Sequence, residues 1–282
     1  MRQEAEILEL VKRTALDDSR ISSAFLRGSR ASGRIKRDVY QDYDIEYYVS
    51  DLAPYWDNIS WLESVFGRTL IVQMPVIMDD PDITPEMAER FTYLAIFSDG
   101  VRIDLSLVKN PFYDNGEPAI LLVDKDGGHD SVYGDDSAYL PLPPSKSEFD
   151  RCCNEFWWCV NNLAKGIARG ELPYAMNMLG IYIRPELDRM LGWLIGSMTD
   201  FSAGPGKLGR FMEKYLPDSM YKKYLKTFPQ PSAGRMWTSC IEMCKLFSDA
   251  ARITAKNLGL EYNSGWEDGI RIYIDMIRSI RS

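Results

Sequence analysis

Residues 25–49 read FLRGSRASGRIKRDVYQDYDIEYYV, and this stretch decides how the rest of the chain is read. A Gly-Ser pair, Gly28 and Ser29, closes an apolar run, Ile21 to Leu26, that has the composition of a strand. Asp42-Tyr43-Asp44-Ile45 then opens a second run rich in aromatic and β-branched residues, again a strand pattern. Successive side chains of a strand face opposite ways, so Asp42 and Asp44 share one side while Tyr43 and Ile45 take the other. Two like charges on one face raise each other's pKa unless a cation compensates them. Oxygen ligands of this kind suit Mg2+, which takes one or two carboxylates from a protein and the rest of its shell from water and phosphates. Gly28 permits close backbone approach to a ligand, and Ser29 adds a hydroxyl and an amide donor for phosphate oxygens. Arg30 adds a fixed charge with bidentate reach. A strand edge with solvated aspartates remains the plain alternative at this point.

GSR at 28–30 and QDYDI at 41–45 resemble the nucleotidyltransferase superfamily of the DNA polymerase β type, in which a Gly-Ser turn precedes a strand carrying Asp-x-Asp. With DGVRIDLSLV at 99–108, and NEFWWCV followed by AKG within 154–166, the chain is similar to the aminoglycoside 6-adenylyltransferases, streptomycin-modifying enzymes, nearly end to end. The resemblance implies an α+β protein: an N-terminal nucleotidyltransferase domain, residues 1–145, with a mixed sheet flanked by helices, then a C-terminal helical bundle, residues 146–282. It implies transfer of AMP from ATP to a hydroxyl of a cationic aminoglycoside, position 6 of a streptomycin-like drug, with release of pyrophosphate. The expected site is Asp42, Asp44 and Asp104 as catalytic residues and Mg2+ ligands, with Gly28, Ser29, Arg30 and Lys165 around the nucleotide. Two other readings stay open: the same fold acting on a lincosamide, a protein or a tRNA end, and a non-catalytic nucleotide-binding regulator.

Composition narrows the classes. The chain has 282 residues, 45% hydrophobic and 26% charged, enough to bury one large core or two ordinary ones. No apolar run approaches the ~18 residues of a membrane span, and the start, MRQEAEILEL, has no secretion-signal core, so the cytoplasm is expected. Residues 1–145 hold 26 Asp and Glu against 14 Lys and Arg, whereas residues 146–282 hold 15 against 19. An acidic first half repels a polyphosphate backbone, disfavours nucleic acid, and suits a polycationic small substrate. Five cysteines without a CxxC spacing, and one histidine, His129, outside both cysteine clusters, argue against zinc. His129 reads as an exposed loop residue rather than a base.

Phe91 to Val108 reads as a hairpin turning at Ser98-Asp99-Gly100. In its second strand Val101, Ile103, Leu105 and Leu107 share a face and Arg102, Asp104 and Ser106 share the other. A mid-strand Asp in an apolar pattern needs a partner, because burying an unpaired carboxylate is expensive. Arg102 is judged a poor one, two positions away and pointing the same way; a cross-strand Arg is kept open. The resemblance makes Asp104 the third carboxylate, base, metal ligand or both, with Glu46 as its substitute. Residues 3–16 carry a helical apolar stripe, Thr69 to Met78 reads as a strand region broken by Pro75, Thr84-Pro85-Glu86 looks like a helix start, residues 110–144 read as a turn-rich boundary, and Pro173 to Ile183 reads as a helix. Beyond 146, Phe149, Cys153, Phe156, Val160, Leu163 and Ile167 form a helical core stripe. Trp158, Asn161, Lys165 and Arg169 line another face, where Lys165 is the expected triphosphate contact.

Overall fold

The computed structural model describes residues 1–109 and 114–280. The chain divides into two compact units, Met1–Ala138 and Tyr139–Ser282.

The first unit is built on one seven-stranded sheet: β1 Ile21–Arg27, β2 Tyr43–Val49, β3 Thr69–Gln73, β4 Arg90–Phe97, β5 Arg102–Lys109, β6 Ala119–Asp124 and β7 Val132–Tyr133, in the order β3-β4-β5-β2-β1-β6-β7. Only β2 and β5 run parallel; the other neighbours are antiparallel, so the sheet is mixed. Period-two alternation divides its faces. Tyr43, Ile45, Tyr47 and Val49 of β2 and Ile103, Leu105 and Leu107 of β5 enter one core, together with Ile7, Val11 and Ala15 of α1 (Glu4–Asp17). Leu62 and Phe66 of α3 (Ile59–Phe66) close the same core. Asp44, Glu46, Asp104 and Ser106 are left on the opposite face, which also carries a small apolar cluster around Phe25, Tyr48 and Ala119. Between β1 and β2 lies α2 (Gly28–Ala31), and between β3 and β4 lies α4 (Pro75–Asp79).

The second unit is helical, with α5 (Lys146–Ala168), α6 (Leu172–Asn177), α7 (Arg184–Met198), α8 (Met212–Tyr215), α9 (Asp218–Lys226), α10 (Ala233–Leu258) and α11 (Ser264–Ser279). The α5 stripe expected from sequence is buried throughout, from Phe149 to Ile167. Phe156 stacks on Phe247 of α10 with ring centroids 3.7 Å apart. Ser145 and Glu148 cap α5 reciprocally, each side chain taking the other's backbone N–H. All five cysteines are buried free thiols, and burial pushes Cys153 up to about 12, which makes it a poor nucleophile. Among the described residues no helix is long and apolar enough to cross a membrane. The α+β class therefore holds, a mixed sheet followed by helices.

Local readings differ in four places. Ala119–Asp124 and Val132–Tyr133 are strands pairing outward from β1, not boundary loop, because Phe25 and Ala119 bury each other on the polar face; Asn110 to Tyr113 of that segment lie outside the described residues. Thr84-Pro85-Glu86 forms only a turn, cut short by β4 starting at Arg90. Pro75 starts α4 rather than breaking a strand. The helix expected over 173–183 ends at Asn177 and passes into a π-helical turn, Met178–Ile183.

The β4–β5 turn is tied to the N-terminus. Asp99 accepts hydrogen bonds from the Arg2 backbone (2.9 Å) and guanidinium (3.0 Å), and from the Val101 N–H. Partial burial pulls the Asp99 carboxyl upward, but these donors outweigh it and hold the pKa down at about 2, from an ordinary 3.8. A depressed carboxylate stabilises the fold above its unfolded pKa and loses that contribution as pH falls through the folded one. Asp99→Asn is therefore expected to melt below wild type at pH 7, with the two melting temperatures converging between pH 4 and pH 2; parallel melting curves across that range would refute the link.

Candidate active site

Parallel pairing of β2 and β5 sets Asp44 opposite Asp104 in register. Neighbouring strands lie about 4.8 Å apart, so the two carboxylates stand side by side on the sheet face away from the main core. Gly28 follows β1 and opens α2 at φ +62°, and a Cβ built on it would sit 2.0 Å from Asp44 Oδ2 and 2.7 Å from Asp44 Cγ. Glycine is required there twice over, for the left-handed backbone and for the space that the carboxylate occupies. Gly28→Ala is expected to strain the turn and push the Asp44 carboxylate away, lowering kcat by about 10²-fold, the scale of a 1 Å misplacement, with a smaller loss in melting temperature; an unchanged kcat would show that the contact does not matter.

Asp42 lies one residue ahead of β2. Its position is fixed by Arg30, whose Nε donates to the Asp42 carbonyl (3.1 Å) and whose Nη2 donates to the Gln41 carbonyl (2.9 Å). Arg30 Nη1 pairs with Glu4 at 2.8 Å, and the guanidinium lies over the Tyr43 ring at 3.8 Å. At 5% exposure, with every guanidinium nitrogen engaged, Arg30 fastens the loop behind Asp42; sequence reasoning aimed it at phosphate. Arg37 pairs with Glu4 as well. Ser29 is half-buried in the turn beside Gly28.

Arg102 corrects an expectation outright. Its Nε and Nη2 each reach an oxygen of Asp104 at 2.8 Å, and its Nη1 lies 3.4 Å from Asp42 Oδ2. Residues i and i+2 share a strand face about 6.6 Å apart, a gap that the long Arg stem bridges by folding along the strand; rejecting the pair on backbone direction overlooked that reach. The Arg102 guanidinium is made still more basic by Asp104 first, then by the charges of Asp42 and Asp44.

Glu46 is occupied too. Arg27 Nε holds one oxygen at 2.7 Å, and Arg90 approaches the other at 2.9 Å. Arg27 and Glu46 are only 10% and 8% exposed at their side chains, a fixed buried pair. Arg90 also donates to the Ser106 hydroxyl, 2.7 Å away. A cleft of about 290 Å3 joins Gly28, Asp44 and Asp104 to Arg27, Arg90 and Glu46, while Asp42 and Arg102 line a neighbouring hollow of about 470 Å3. Arg27 and Arg90 were missed from sequence; the signal was the alternation of β1 and β4, which sets them on the carboxylate face. In the second unit Lys165 is half-buried in the last turn of α5. Trp158, Glu155, Tyr174 and Tyr182 line a wider hollow there, about 670 Å3, to which no sheet carboxylate contributes. His129 packs edge-on against Phe25 at 5.4 Å and lies 3.4 Å from the Tyr133 hydroxyl, a structural seat.

The donors suit a hard divalent cation. Asp44 and Asp104 offer only oxygens, side by side, and the positive charge that these acids demand is supplied by a guanidinium. Among the described residues no three His, Cys, Asp or Glu side chains close into a metal cage. Mg2+ fits such a partial set, since it keeps waters and substrate phosphates in its shell.

The sequence profile of a family described as Streptomycin adenylyltransferase matches residues 1–277. The chain belongs to that family. It is an adenylyltransferase, and its relatives match it over almost their whole length. It is 34% identical to the aminoglycoside 6-adenylyltransferase of Bacillus subtilis over 98% of both chains, and 34% identical to that of Staphylococcus aureus over 96% of this chain and 98% of the other. A crystal structure of an aminoglycoside 6-adenyltransferase from Bacillus subtilis superposes with a TM-score of 0.50, at 30% identity, covering 99% of this adenylyltransferase and 100% of the other.

Proposed function

We propose that the protein transfers AMP from ATP to the 6-hydroxyl of a streptomycin-like aminoglycoside, releasing pyrophosphate. The observation that supports this most is the in-register pair Asp44 and Asp104 beside Gly28, on a chain whose relatives are named aminoglycoside 6-adenylyltransferases.

The acceptor oxygen attacks the α-phosphorus of ATP as the bond from that phosphorus to the leaving pyrophosphate breaks. A sugar hydroxyl is a poor nucleophile at neutral pH, so its proton must be taken by a positioned base. Asp104 takes it, its Arg102 partner being 42% exposed and free to swing away; Glu46, locked to Arg27 in a pair only 10% and 8% exposed, is a poor alternative. Asp44 and Asp104 would hold Mg2+ as a partial set completed by water and phosphate oxygens, with Asp42 joining from the loop ahead of β2, and the ion would supply charge neutralisation at the phosphates. Ser29 binds phosphate oxygens through its hydroxyl and backbone N–H at the glycine turn, and Arg30 acts as a positioning residue for Asp42 rather than as a phosphate ligand. The excess of acids in residues 1–145 draws in a cationic acceptor. ATP as co-substrate places the work in the cytoplasm.

Incubation with streptomycin and MgATP, read by mass spectrometry, is expected to show an AMP-sized gain on the drug, located to the 6-hydroxyl by fragmentation. A gain on a lincosamide with none on streptomycin would overturn the acceptor assignment and keep the chemistry.

A further inference from the structure

Arg102 holds both oxygens of Asp104 in a fork and touches Asp42 with its remaining nitrogen. In that arrangement Asp104 has no oxygen directed solely at a substrate. An acid that must bind a cation or accept a proton is thus already engaged by a cation from its own strand. We infer that Arg102 is a resident counter-cation of this site, standing where a divalent ion would neutralise Asp42 and Asp104, and that it withdraws from Asp104 when the metal and nucleotide enter. The inference rests on the reading of these acids given under the proposed function.

Three observations carry it. The first is charge: carboxylates gathered together repel one another unless a cation lies among them, and Arg102 touches both Asp42 and Asp104. The second is freedom to move. The Arg102 side chain is 42% exposed, so it can swing into solvent without leaving a buried charge behind. The Arg27–Glu46 pair on the same face is buried on both sides and has no such exit. The third is strength: an exposed ion pair contributes little, so a divalent ion displaces it readily, whereas a buried one is costly to part. Arg102 can then serve the incoming phosphates without any change of backbone, since its stem already spans from Asp104 to Asp42.

The test uses Arg102→Met and Arg102→Lys in the full chain, with Mn2+ as the probe, titrated without nucleotide and followed by electron paramagnetic resonance. Removing the competing guanidinium is expected to tighten Mn2+ binding about fivefold in Arg102→Met, the fold-change that an exposed ion pair represents. Arg102→Lys, which keeps the charge and loses the fork, should fall between. Without metal, Arg102→Met should melt below wild type, and Mn2+ should raise its melting temperature by more than it raises that of wild type. Unchanged or weaker Mn2+ binding in Arg102→Met, with wild type binding Mn2+ normally alongside ATP, would overturn the inference alone. Failure of wild type and both variants to bind Mn2+ even with ATP would overturn the metal-site reading together with it.

Discussion

Asp44→Asn is expected to leave the protein folded and to lower AMP transfer by about 10³–10⁴-fold, the scale on which a central charged group of a catalytic set is lost. The substitution is isosteric, so the packing of Gly28 against the side chain survives. It removes one of two acids held in register on adjacent strands, so like-charge repulsion falls and the melting temperature should stay level or rise slightly. That pairing of readouts matters. A variant that is inactive because it is misfolded would melt early; one that has lost a ligand or a charge will not. Transfer within tenfold of wild type would remove Asp44 from the catalytic set, whatever the family likeness.

Asp104→Asn should lower kcat by about 10²–10⁴-fold, the contribution of a positioned general base, while ATP with Mg2+ still binds. The geometry makes this outcome specific. Asp104 is only 17% exposed at its side chain, and Arg102 reaches both of its oxygens. An amide in its place retains one acceptor for the guanidinium but cannot receive the acceptor's proton. Pre-steady-state measurement of AMP transfer, alongside equilibrium binding of ATP, separates the roles: intact binding with collapsed kcat supports the base, and lost ATP binding with near-normal turnover at saturation points to a ligand instead.

Much of this arrangement was legible in residue order. Alternation along YDIEYYV and VRIDLSLV placed Asp44 and Asp104 on one kind of face, and β2 and β5 keep that division, with Tyr43, Ile45, Ile103 and Leu105 buried. What alternation cannot give is which strands are neighbours. The parallel register that sets Asp44 against Asp104 depends on β5 passing between β4 and β2, a long-range choice with no local signature. Side-chain reach was the other blind spot. Arg102 and Asp104 share a face two residues apart, and only the length of the arginine stem turns that spacing into a fork. Arg30 shows the converse: its place beside Gly28 and Ser29 suggested phosphate, but the Gln41 and Asp42 carbonyls, Glu4 and the Tyr43 ring claim it. The run AILLVD at 119–124 had a strand's composition and was passed over because glycine- and aspartate-rich turns surround it.

The most direct measurement is the double variant Asp44→Asn/Asp104→Asn compared with each single variant, using α-labelled ATP so that residual transfer stays countable. If the two acids act as one unit, the double variant's kcat/KM falls no further than that of the more damaged single variant. Losses that multiply, each variant costing as much in the presence of the other as alone, would show two independent groups and contradict the account.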